Sequence, residues 1–191
     1  MRSALRNRGL AGVVVLASVA LMGAAAARLM TLTPDSKVWV EGTSTVRDWK
    51  CEATALESEV VPTSEETAAL PVEALVQSAQ VAIEVATLEC GNGKMNEHMV
   101  KALKTGTIEF KLNSYAIDGS KAVLLGTLKI AGTTKDIEIP GTVTQEGSLV
   151  RVKASKEITM SQWGVKPPSL MMGTMKVKDA VTVGFDVTLK P

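Results

Sequence analysis

Cys90, Met95, His98 and Met99 fall within ten positions and gather a thiol, two thioethers and an imidazole. Soft metals such as copper favour that donor set. Met95 and Met99 are also four apart on a predicted helix, the spacing of ordinary core packing. The other cysteine, Cys51, makes an even pair with Cys90, which supports a disulfide if the chain is exported. Such a bridge would close a loop of about 40 residues and contribute roughly 4 kcal/mol in the chain-entropy treatment. Copper binding through Cys90 and a Cys51–Cys90 disulfide are therefore competing expectations, and the disulfide is preferred.

Other chemistry is thinly supplied. His98 is the sole histidine, so no site can use two imidazoles. It lies among Met, Glu and Lys on the predicted helix, a boundary position rather than a catalytic one. The sequence has no G-x-S-x-G elbow, P-loop, dinucleotide glycine fingerprint or H-E-x-x-H. Glu65 and Glu66 sit in a polar stretch where charge serves solvation. We therefore expect no catalytic residues, no metal, no cofactor and no enzymatic activity.

The elements around these residues are mostly strands. Period-two alternation runs through Val38–Val40, Trp49–Ala53, Ala79–Val85, Ile108–Leu112, Leu124–Ile130, Ile137–Val143, Val150–Ala154 and Val181–Leu189. Parity changes between Leu112 and Tyr115, which predicts a bulge near Asn113. Asp118-Gly119 and Glu146-Gly147 predict hairpin turns. Pro62–Gln77 breaks the rhythm and reads as a loop with a helical turn. The convincing helix is Met95–Lys104, capped by Asn92 or Gly93. Eight strands joined by short turns predict a mainly β, antiparallel fold, as either a sandwich or a barrel able to hold one small ligand.

The first residues read as an export leader. Arg2, Arg6 and Arg8 precede the apolar run Leu10–Met22 and the small residues Ala24–Ala27. The run is short for a membrane span, which needs ~20 residues. We expect 1–27 to be a signal peptide, 28–36 a tether and 37–191 one β domain. The mature chain would be periplasmic or extracellular with no stable membrane span. Removing three of the 21 basic residues against 20 acidic ones leaves a net charge of about −2. That balance, with 3% aromatics, offers neither a basic face for a nucleic-acid backbone nor a base-stacking platform, so no nucleic-acid partner is expected. A homodimer is compatible with the sequence. Met160, Met171, Met172 and Met175 cluster around Trp163 and Pro167-Pro168, and flexible methionines suit a variable apolar partner as well as a core.

Five stretches carry a family likeness in order: GTSTVRDWKC (42–51), MNEHMVKALK (95–104), TIEFKL (107–112), GTLKIAGTTKDIEIPGTV (126–143) and MGTMKVKDAVTVGFDVTL (172–189). From Ser36 to Leu189 the chain resembles the YceI-like family, exported lipocalin-like barrels that bind polyisoprenoid and related lipids. The two cysteines and the 62–77 insertion fall outside the general family pattern. The resemblance implies an eight-stranded antiparallel barrel with one short helix and a hydrophobic channel. Its ligand would be a long-chain isoprenoid or another amphiphilic lipid, carried or sequestered. Facing inward we place Ile108, Phe110, Leu112, Ile130, Val183, Phe185 and Val187. At the channel ends we place Met99, Leu103, Met160, Trp163, Met171 and Met172. Ten buried methylenes at ~0.8 kcal/mol each would contribute about 8 kcal/mol, near-micromolar binding before ordering costs. The alternative is a packed, non-enzymatic envelope protein working through protein contacts.

Overall fold

The computed structural model describes residues 29–64, 70–104, 106–170 and 173–191. The leader expected at 1–27, and Met171 and Met172, lie outside these residues. In chain order the strands are β1 (Thr31–Leu32), β2 (Lys37–Ser44), β3 (Asp48–Ala53), β4 (Glu57–Pro62), β5 (Val76–Glu84) and β6 (Leu88–Glu89). Helix α1 (Gly93–Leu103) follows. Then come β7 (Thr107–Asp118), β8 (Lys121–Ile130), β9 (Thr133–Glu146), β10 (Leu149–Thr159), β11 (Ser169–Leu170) and β12 (Met175–Lys190). Each expected alternating run is a strand. The four additional strands are β1, β4, β6 and β11. Three of them have two residues, too few to show a period. β4 leads with Glu57, Ser58 and Glu59, all exposed.

The pairings are antiparallel, in the order β4-β5-β7-β8-β9-β10-β12-β2-β3-β6. The sheet curls because its long strands bend at register shifts. One lies between Leu112 and Ser114 of β7, at the expected bulge, and one between Val177 and Val181 of β12. Short clasps draw the curl together where a continuous ladder was expected. At one end β1 pairs with β12 (Thr31↔Lys190, Leu32↔Leu189), and Met30 bridges to Val60 of β4. At the other, β6 continues from β5 through the 3-10 turn Val85–Thr87 and pairs with β3. Residues 28–36, expected as a tether, thus include a paired strand, and Met30 is 2% exposed.

Two apolar clusters fill the curl, one around Cys51, Val85, Leu128, Ile158 and Trp163 and the other around Met30, Val60, Leu75, Val143 and Leu189. Helix α1 begins where Asn92 Oδ1 accepts from the Met95 N–H at 2.9 Å, and it ends at Lys104 in a left-handed conformation. The Cys51–Cys90 disulfide ties β3 to the segment just before the helix. On the outer face, Arg151 donates two hydrogen bonds to Asp186 at 2.7 and 2.8 Å, across the β10–β12 pairing. Among the described residues no helix is long and apolar enough to cross a membrane.

Candidate functional site: an apolar cavity inside the curled sheet

Alternation puts aliphatic side chains on the concave face, and the curl leaves them short of meeting. The result is a cavity of about 240 Å³. It reaches from Leu32 and Leu189 at the β1 clasp to Leu103 and Trp163 near the helix. Along β12 alone the lining runs from Val181 to Leu189, ~27 Å of strand and about 20 Å of height after barrel tilt. So small a volume over such a length makes a narrow tube.

The strands place the expected inward residues together. Ile108, Phe110 and Leu112 line the wall from β7, Ile130 from β8, and Val183, Phe185 and Val187 from β12. Register explains the grouping: Val81 of β5 pairs with Phe110, which pairs with Leu128 of β8, and all three line the cavity. The expected end residues Met99 and Leu103 reach it from α1, and Met160 and Trp163 from the 3-10 turn after β10. Gly126 makes room for one wall residue, since a Cβ there would meet the Phe110 ring at 2.7 Å.

Two lining residues with polar atoms, Tyr115 and Trp163, bond them to the backbone. The Tyr115 hydroxyl accepts from the Val76 N–H at 3.1 Å and donates to the Val72 carbonyl at 3.4 Å. Buried Trp163 donates its Nε1–H to the Leu128 carbonyl at 3.1 Å. Among the described residues, Trp49 Nε1 is the buried side-chain polar atom with no hydrogen-bond partner. A lumen so lined excludes water and offers an incoming molecule dispersion and desolvation more than directional bonding.

Copper binding through the cysteine-methionine-histidine group does not fit this arrangement. Both sulfurs belong to the disulfide, so no thiolate is available, and the Met95 sulfur accepts from Arg47 at 3.4 Å. The described residues contain no group of three or more His, Cys, Asp or Glu placed for a metal.

Sequence reading missed the lobe of the cavity nearest β1, lined by Leu32, Val60, Val72 and Leu75. Leu75 is 2% exposed yet follows an irregular stretch. Its only signal was apolar residues spaced 72, 75 and 76, a pattern too short to tell turn from loop.

A family model described as a YceI-like domain matches residues 37–189. No curated protein sequence matches the chain. Among solved structures, BcnA of Burkholderia cenocepacia superposes with a TM-score of 0.65 at 21% identity, covering 80% of this chain and 95% of that one. A polyisoprenoid-binding domain from Saccharophagus degradans, implicated in plant cell wall breakdown, gives 0.60 at 11% identity, over 85% and 97%. The Campylobacter jejuni YCEI protein gives 0.59 at 15% identity, over 95% and 99%. At these identities the structural likeness is one of fold.

Proposed function

The chain belongs to the YceI-like family, and from that premise we propose that it is an exported, non-enzymatic protein that sequesters or carries a long-chain amphiphilic lipid, an isoprenoid first among them. The observation that carries this reading is the tube itself: long, narrow and apolar along its length, with the Tyr115 hydroxyl and the Trp163 indole bonded to backbone. A bulky ligand would need a wider pocket, of ~300 Å³ or more, whereas one linear tail fits a narrow channel. A polyisoprenoid-binding neighbour of the same fold supports the choice of lipid class. Binding would be burial without chemistry. Each methylene leaving water contributes ~0.8 kcal/mol, so affinity grows with tail length until the tube is filled. The disulfide suits an oxidising compartment, in keeping with export.

Native mass spectrometry of protein purified without detergent, repeated after organic extraction, tests the reading. A stoichiometric bound mass that extracts as a lipid is expected. An apoprotein that also refuses added prenyl and acyl lipids would refute it. Leu112→Asp, which sets a carboxylate in the lining, is expected to abolish uptake while the far-UV circular dichroism is kept. Unchanged uptake by that folded variant would exclude the tube as the binding site.

A further inference from the structure

The β9–β10 ladder stops partway. It runs from Leu149↔Glu146 to Ala154↔Gly141. Yet β9 stays paired with β8 as far as Thr133↔Ile130, and β10 with β12 as far as Thr159↔Ala180. Residues 133–140 and 155–159 therefore border a slot in the ladder, with Ile137, Ile139 and Ile158 buried beneath it and the turn after β10 packed against β9 at its far end. The cause is in the sequence. The Val143 N–H bonds to Ser120 at 2.9 Å on the β8 side, so even-numbered residues of β9 direct their backbone groups towards β10. The next such residue beyond the ladder is Pro140, opposite Ser155 in continued register, and proline has no N–H to give. Beyond the slot, the Trp163–Leu128 hydrogen bond pins the turn that follows β10 to β8.

A second observation falls at the same level. The inner-face residues of β10 read Val150, Val152, Ala154, Lys156, Ile158, paired with Leu189, Val187, Phe185, Val183 and Val181 of β12. Lys156 is thus a charged residue on the face that lines the tube, between buried Ala154 and Ile158 and beside Val183. In continued register it would stand opposite Ile139, itself a lining residue. Its side chain is exposed, and it makes no ion pair or hydrogen bond among the described residues. A cation placed where the apolar wall parts marks the point at which a tail would pass inward and a head group would stay out.

We propose that the β9–β10 slot is the portal of the tube and that Lys156 seats the ligand's head group, so that the preferred ligand is an anionic amphiphile bearing a phosphate or a carboxylate. This rests on the lipid-binding reading above and sharpens it. The ammonium supplies charge-assisted hydrogen bonds to either anion and nothing comparable to an alcohol.

The test compares three probes on the full mature chain: a prenyl alcohol, the prenyl phosphate of the same tail, and a fatty acid of similar length. Wild type is expected to bind the anionic probes about tenfold more tightly than the alcohol. Lys156→Ala should remove that preference, Lys156→Glu should reverse it, and Lys156→Arg should keep it. The anion whose affinity falls further in Lys156→Ala identifies the head group. Equal binding of all three probes by wild type, or a preference that survives Lys156→Ala, would overturn the assignment. Failure of a folded protein to bind any of the three probes would overturn the lipid reading with it. Pro140→Thr restores the missing N–H and is expected to slow association of every probe. An unchanged association rate would exclude the slot as the portal.

Discussion

Removing the Cys51–Cys90 bridge has a calculable effect. The two residues are 39 apart in sequence, and releasing a loop of that size adds about 4 kcal/mol of chain entropy to the unfolded state at 25 °C. Both positions are buried, Cys51 at 0% and Cys90 at 7% exposure, so alanine is a better replacement than serine, which would bury a hydroxyl. For a chain of this length each kcal/mol moves the melting temperature by ~3 °C, giving a fall of about 12 °C for Cys51→Ala/Cys90→Ala. Differential scanning calorimetry of the variant, and of wild type with and without dithiothreitol, measures it. The reduced wild type and the double variant should melt close together. The bridge also anchors the segment leading into α1, whose Met99 and Leu103 close one end of the tube. Hydrogen exchange should therefore quicken in α1 more than in β8, which is paired on both sides. A fall of less than about 4 °C, or exchange that quickens equally everywhere, would refute the reasoning.

Two further perturbations probe the wall and its outer face. Gly126→Ala places a methyl against the Lys111 carbonyl oxygen and 2.7 Å from the Phe110 ring, so it should destabilise by about 1–3 kcal/mol by forcing the β7 and β8 backbones apart as well as displacing the ring; chemical denaturation and fluorescent-lipid titration should both show the change. The Arg151 guanidinium beside Asp186 holds that carboxyl below its ordinary 3.8. Its stabilisation is present above the unfolded-state pKa and is lost as pH falls through the lowered folded-state value. Asp186→Asn should therefore melt slightly below wild type at neutral pH, and the gap should close in acid; a gap independent of pH would count against the ion pair.

The parts of the fold legible in sequence are those where one face meets solvent and the other meets apolar neighbours along many residues. β12 alternates through Val181, Val183, Phe185, Val187 and Leu189, and this fixed which side chains face the lumen. The bulge in β7 announced itself as a change of parity, and Asn92 as a helix cap. The clasps were not legible. β1 has two residues, and Met30 lies close to the apolar run Leu10–Met22, where one more apolar residue carries no signal. β4 pairs on one flank with β5, and its polar start resembles a loop. Pro140 was visible, but its effect on the ladder depends on which neighbour its missing N–H would face, and only register decides that. Lys156 carried no signal, because a lysine within an alternating strand says nothing of whether the opposite wall is closed.

The pairing of β12 with β1 and β2 sets a condition on how the molecule is made. The first strands find their partners at the other end of the chain, so these contacts span nearly the whole sequence, and such topologies fold slowly. During synthesis β2 emerges long before β12 exists to receive it. Until the last residues arrive, Val38, Val40 and the rest of the concave face remain open to water and to other chains. A chain that stops short of residue 175 would lack the strand to which both β2 and β10 are fastened, leaving no closed wall on either side.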